Sequence, residues 1–218
     1  RRLSAIRPDV LIEFRQRYMG PAMRQYGNMF RAGDCPADMQ GNRQRIANLR
    51  LTSGESAVHS DMLEWNLAET PENAARHILS ALFGVVQYSL MLGELPENHT
   101  KVIRHWLDFS QKHRETLLKS EFRPYHPEKC YPVIETESDD ELIVAVYDDM
   151  SVPEMKTSGK RTYIINASGA PSLVLDMPAG ARRVVAYDVY GHEAAAPEIV
   201  KGVQRVAIPL SGYLQIEY

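Results

Sequence analysis

Asn28-Met29-Phe30-Arg31-Ala32-Gly33-Asp34-Cys35-Pro36 decides how this chain is read. A short apolar run ends in a glycine–aspartate turn. Proline then stands in the first turn of a helical pattern over residues 36–51, which places Ile46, Leu49 and Leu51 on roughly one side. Similar short runs occur at 10–14, 57–60 and 85–90. Thr70-Pro71-Glu72 supplies cap, proline and acid for a helix leading to Ile78, Leu79 and Leu82. Residues 95–119 read as another helix, opening on Pro96 and Glu97, with Val102, Ile103, Trp106, Phe109 and Leu117 at helical spacing. Strand–helix repetition predicts a parallel sheet with helices packed outside it. Four such units make half of a (β/α)8 TIM barrel. An open doubly wound sheet is the alternative, though no glycine-rich phosphate loop follows any of these strands.

The texture changes near residue 128. Beyond it, strand-like runs at 131–135, 142–147, 162–165, 172–175, 183–188, 204–208 and 213–217 are separated by turn material such as Pro178-Ala179-Gly180 and Ser211-Gly212. This spacing predicts an antiparallel β-sandwich. The expected fold class is therefore α/β plus all-β, with one domain over 1–128 and a second over 129–218. The favoured reading of the second is a packing domain without chemistry.

Composition narrows the function classes. The 218 residues are 44% hydrophobic and 24% charged, which is ordinary for a globular chain and excludes low-complexity disorder. A net charge of −3 gives no electrostatic footprint for nucleic acid. Cys35 and Cys130 are too few for a disulfide scaffold and wrongly spaced for zinc. The apolar stretch 78–93 contains Gln87, Tyr88 and Ser89 and is shorter than the roughly 20 residues of a membrane span, so it is read as buried core. The chain opens Arg1-Arg2-Leu3 with no initiator methionine and no apolar signal segment, and reads as missing its true start, so this absence carries no information on location; cytoplasmic is favoured.

Residues able to do chemistry gather just after the strand-like runs, where barrel enzymes place their working groups. Arg15-Gln16-Arg17-Tyr18 follows the first run, Asp34 and Asp38 the second, and His59-Ser60-Asp61 lies in the third. Asp34, set between a glycine and a short turn, is the foremost catalytic candidate. Its alternative role is the N-cap of helix 36–51. Asp38 reads as a charge complementing that helix dipole. Arg31 either clamps a substrate hydroxyl or pairs with Asp34. His59 and Asp61 flank one serine and so point to the same side of a strand, as substrate contacts or as a pair bracing the loop. His99, His105 and His113 read as one polar helix face without metal-pair spacing. No Gly-x-Ser-x-Gly elbow is present, and Cys35 beside Asp34 is disfavoured as a thiolate. Two Asn-x-Ser/Thr triplets, at Asn98 and Asn166, are short enough to arise by chance.

Together, Leu11-Ile12-Glu13-Phe14, Arg31-Ala32-Gly33-Asp34 and Ala57-Val58-His59-Ser60-Asp61-Met62-Leu63 resemble the second half of the catalytic barrel of α-galactosidases, glycoside hydrolase family 36 with its sister family 27. Residues 12–17 align with the family segment Ile-Glu-Cys-Ser-Ser-Gly-Gly. Residues 30–35 align with Trp-Thr-Ser-Asp-Asn, whose acid/base aspartate falls on Asp34. His59-Ser60-Asp61-Met62-Leu63 is similar to the sister family's Asp-Pro-Asp-Met-Leu. Residues 103–118 resemble the last barrel helix before a C-terminal sandwich. The resemblance implies the C-terminal half of the barrel followed by that sandwich, and a retaining double displacement. Asp34 would be the acid/base, with Arg15, Gln16, Arg31, His59 and Asp61 as substrate-binding residues.

It also implies an α-galactoside or related oligosaccharide as substrate, no metal or organic cofactor, and no nucleic-acid or membrane partner, with a homo-oligomer left open. Two departures accompany it. Phe14-Arg15-Gln16-Arg17-Tyr18 replaces the family's Cys-Ser-Ser-Gly-Gly, so the pocket for the sugar ring is expected to differ. No Lys-x-Asp, the family's nucleophile context, occurs in the sequence, so the chain reads as a piece carrying the acid/base without its nucleophile. A raffinose-synthase-like transglycosylase would share these carboxylates. A non-catalytic carbohydrate-binding or scaffolding module would instead show a shallow aromatic platform on the sandwich.

Overall fold

A computed structural model describes residues 2–15, 21–54, 56–155 and 160–218. After a short helix α1 (Arg2–Ile6), the strands β1 (Glu13–Arg15), β2 (Met29–Arg31), β3 (Ala57–Leu63) and β4 (Val85–Tyr88) form one sheet in sequence order. Every pairing in it is parallel. Helices α2 (Met39–Ser53) and α3 (Pro71–Ser80) make the crossovers from β2 to β3 and from β3 to β4. Alternation along the strands sorts their side chains. Phe30 and Val58 join Ile46, Ala75, Ile78 and Leu79 in a buried core, with Phe14 stacked against Phe30 at 6.1 Å. Arg15, Arg31 and His59 share a register row on the opposite face.

Several elements depart from expectation for identifiable reasons. The first run forms a strand only at Glu13–Arg15 because the Asn28 side chain takes over the pairing upstream, accepting from Ile12 N at 2.8 Å and donating to Val10 O at 3.0 Å. The third run extends to Leu63, bulging against β4 where Ser60 Oγ accepts from Gln87 N at 2.9 Å. Helix α2 starts at Met39, not at Pro36. Asp38 is its N-cap, accepting from Gly41 N at 2.8 Å, and so is not a charge inside the first turn. Leu51, expected beside Ile46 and Leu49, is exposed. The stretch 78–93 is core only as far as Phe83, since Val85, Met91 and Leu92 are exposed. No helix among the described residues is long and apolar enough to cross a membrane.

The helix expected over 95–119 is two helices, α4 (Glu97–Lys112) and α5 (Arg114–Lys119). They meet at His113, whose ring turns inward to Glu141 Oε2 at 2.9 Å. The reading of three histidines on one polar face is thereby corrected. His99 and His113 are buried, and His105 lies half-buried, stacked on Tyr213.

Beyond α5 come β5 (Glu121–Tyr125), β6 (Val133–Glu137), β7 (Glu141–Val146), β8 (Arg161–Asn166), β9 (Ser172–Met177), β10 (Arg183–Tyr187), β11 (Glu193–Ala194), β12 (Gly202–Ala207) and β13 (Tyr213–Glu217). Seven of them form a sheet in the order β11-β10-β13-β8-β7-β6-β5, and β9 pairs with β12 as a separate ribbon. Neither β5 nor β11 was legible as a strand. Pro124 hides the first, and its edge position explains why proline is tolerated there. The expectation of a purely antiparallel arrangement is also corrected, because β7 and β8 are parallel neighbours.

This sheet is apolar on both sides. Ile134, Ile143, Ala145, Tyr163 and Tyr213 face the core shared with Trp106 and Phe109 of α4. The alternate residues, among them Val133, Leu142, Val144, Ile164, Leu214 and Ile216, pack against Leu173, Leu175 and Val206 of the ribbon. Asn166, the acceptor of one chance glycosylation triplet, is wholly buried and donates from Nδ2 to Ala170 O and Ile208 O.

Burial holds His77, His105 and His113 below the ordinary histidine pKa, partly opposed at His77 by Glu69 and at His113 by Glu141. The unfolded chain therefore binds more protons than the folded one once pH drops below about 6.5, and stability falls as pH falls through that range. Urea unfolding is expected to show a lower midpoint at pH 5.5 than at pH 7.5. His113→Gln should flatten this pH dependence, and an unaltered one would show that His113 binds protons equally in the folded and unfolded states.

Candidate functional site

The polar row of the parallel sheet gathers around Arg31. Its side chain, 6% exposed, ion-pairs with Asp34 Oδ1 at the C-terminal end of its own strand. It also lies 3.5 Å from Asp61 Oδ1 on β3. Arg15 Nη2 approaches the same Asp34 oxygen at 3.5 Å from β1. Asp61 in turn accepts from Cys35 N at 2.7 Å, so its carboxylate spans Arg31 and the loop that carries Asp34. Both contacts are made by Nη2, so a single guanidinium nitrogen bridges carboxylates on two different elements.

The loop from 32 to 38 is held from beneath. Asn42, buried on the first turns of α2, donates to Cys35 O at 2.6 Å. Arg45 donates to Asp34 O at 3.2 Å, and its Nη1 also packs close over Gly33. Cys35 Sγ faces Gly33 O at 2.8 Å. Burial pushes its thiol pKa up, Arg45 pulls it down, and Asp61 raises it again. The thiol stays protonated, as expected, but from burial rather than from Asp34. The carboxylate of Asp34 remains 57% exposed, and its capping role is excluded because Asp38 caps the helix.

His59 adds the third strand to the cluster. Its Nδ1 lies 3.0 Å from Ser60 O and takes the N–H in that contact, while Nε2 stands 3.4 Å from Glu13 Oε2. An N–H toward Glu13 therefore exists only in the imidazolium form. Nε of Arg31 and Nε2 of His59 are buried polar atoms without a hydrogen-bond partner. Such atoms cost stability when nothing satisfies them.

Five residues expected at the site, Arg15, Arg31, Asp34, His59 and Asp61, are thus brought into one cluster, whereas Gln16 lies outside the described residues. Glu13 and Arg45 were missed. Glu13 could have been found, since it precedes Arg15 by two positions on the same strand face. Arg45 could not, because its reach back from the helix to the loop is a tertiary contact. Trp65 and Trp106 are both buried, so neither supplies an aromatic binding platform.

The chain is thus mixed α/β, with a carboxylate- and arginine-bearing polar row at the C-terminal ends of parallel strands. Among solved structures, it is similar in fold to the galactosidase domain of the alpha-galactosidase-sucrose kinase AgaSK, with a TM-score of 0.52 and 14% sequence identity. The match covers 100% of this chain and 30% of that one, so the chain spans under a third of the protein it resembles. No family model matches the sequence, and no curated protein matches it. The likeness is a distant galactosidase-like fold.

Arg31→Met is expected to destabilise the chain by about 3–5 kcal/mol, since it strands the buried Asp61 carboxylate. Adding Asp61→Asn to that variant should recover part of the loss in a double-mutant cycle. Strict additivity, measured by urea unfolding, would show that the two side chains do not interact.

Proposed function

We propose that this chain is the acid/base-bearing portion of a retaining α-galactosidase-like glycoside hydrolase. In this reading, residues 1–128 are the C-terminal half of a (β/α)8 barrel and 129–218 its C-terminal sandwich. The observation that carries it is the position of Asp34: an exposed carboxyl at the C-terminal end of a parallel strand, aimed by Arg31 and Arg15 beside two buried, unsatisfied nitrogens. The distant likeness to a galactosidase domain supports the substrate class.

Asp34 donates its proton to the departing glycosidic oxygen and later takes one from the attacking water. The attacking carboxylate, about 5–5.5 Å away in a retaining pair, is assigned to no residue of this chain. Arg15, Arg31, His59 and Asp61, with Gln16, hold the hydroxyls of the galactoside. Nothing in this scheme calls for a metal or organic cofactor.

The chain alone is accordingly expected to release no galactose from an aryl α-galactoside, because an acid without its nucleophile forms no glycosyl-enzyme. In a protein that joins it to the nucleophile-bearing strand, Asp34→Asn should slow an unactivated galactoside by about 10²–10⁴-fold. The first step on a good aryl leaving group should be spared, as seen by burst kinetics. Near-normal turnover of the unactivated substrate would refute the assignment. Product analysis with a sugar acceptor present separates a hydrolase from a transglycosylase.

A further inference from the structure

At the end of the parallel sheet remote from Asp34, a cavity of about 600 Å³ opens between the starts of β3 and β4, the C-terminal end of α2, and α5 with β5. Val58, Phe83, Val85, Leu118 and Phe122 make its walls apolar, while Arg50, Arg114 and Lys119 bring three cations to it. Among the described residues no carboxylate lines it.

Arg50 sets its character. The guanidinium lies 4.0 Å from the centre of the Phe122 ring, a cation–π contact. Nη1 donates to Phe83 O at 3.0 Å and to Leu117 O at 2.6 Å, tying α2 to the ends of two other segments. Both bonds use a single nitrogen of a five-donor fork, and among the described residues the rest of the fork has no partner. Burial alone lowers its pKa to about 10, and among the described residues no acidic group offsets it. Arg114 makes no ion pair among the described residues either, and Lys119 is turned to Glu115 at 2.9 Å. The guanidinium of Arg24 packs on Gly54 at the rim. A partly desolvated, unmatched positive charge over an apolar floor gains most from a ligand carrying both an oxyanion and a flat apolar body. The volume falls within the roughly 300–1,000 Å³ of small-molecule sites.

We propose that this cavity binds an organic anion, a carboxylate or phosphate group on an aromatic or aliphatic body. Its oxygens meet Arg50 and Arg114, and its body rests between Phe83, Phe122 and Val85. The site is separate from the sugar-processing reading and does not depend on it.

The test is calorimetric titration of the whole chain with phenyl phosphate, benzoate, inorganic phosphate and benzyl alcohol. Phenyl phosphate or benzoate, whichever oxyanion fits, should bind saturably, and about tenfold or more tighter than inorganic phosphate and benzyl alcohol. Affinity should fall as salt is raised. Arg114→Glu, on an exposed residue that leaves folding intact, should weaken binding by about tenfold or more. Arg50→Met should do the same wherever its circular dichroism matches the parent. Binding undiminished in Arg114→Glu, equal affinity for inorganic phosphate, or no saturable binding of either aryl anion would each overturn the proposal.

Discussion

Burying both faces of the seven-stranded sheet is the constraint from which the rest of the architecture follows. A sheet apolar on one side only could stand in water, but here each of β6, β7, β8 and β13 sends alternate side chains to two different cores. One core is filled by α4 and the layers behind it, the other by the β9–β12 ribbon. Each buried Ile, Leu or Val contributes about 1.5–3 kcal/mol, so neither cover can be dispensed with. Because α4 is fixed to the sheet through Trp106, Phe109 and His113, the parallel strands that pack on the other side of the same helix layer acquire a firm base.

On that base the polar row can afford buried charge. Arg31 and Asp61 are each almost fully removed from solvent, and a buried ion is costly unless neighbours match it. The match is made between strands and loop rather than within one element, so β2, β3 and the segment carrying Asp34 are held in a single arrangement. Arg31 Nε and His59 Nε2 remain buried without a hydrogen-bond partner, the latter 3.4 Å from Glu13 Oε2.

The strand–helix cadence was legible because period-2 and period-3.6 patterns are separated by capping signals. Thr70-Pro71 starts α3 as read, with Thr70 accepting from Asn73 N. That Asp34, Arg31, Arg15, His59 and Asp61 lie together was legible because strand ends in parallel α/β folds are where polar residues cluster. Long-range effects were invisible. Asp38 took the cap that Asp34 could equally have filled, and only the loop's path decides between them. The histidines of α4 looked like a solvated face because a neutral, hydrogen-bonded imidazole has the same letter as a charged one. His99 accepts from Trp65 Nε1 at 3.3 Å and lies 2.9 Å from Glu69 O through its other nitrogen, which no helical pattern foretells. Pro124 concealed an edge strand, and the parallel β7–β8 pairing concealed itself, since spacing alone does not reveal direction.

That parallel pair has a kinetic consequence. A hairpin closes over a few residues, but β7 can meet β8 only after the chain has left the sheet, crossed the ribbon and come back. The crossing is seated on β9, with Met155 N donating to Asp176 O at 2.9 Å and Asp176 N to Pro153 O at 3.1 Å. Since β9 lies after β8 in sequence, the path that joins the two strands is braced by a segment made later than either. The centre of the sheet and its cover thus share contacts that are not local in sequence, the kind that slow folding. Without β8 beside it, β7 would leave the β5–β6–β7 meander with an open apolar edge, the kind of edge that pairs with a neighbouring chain.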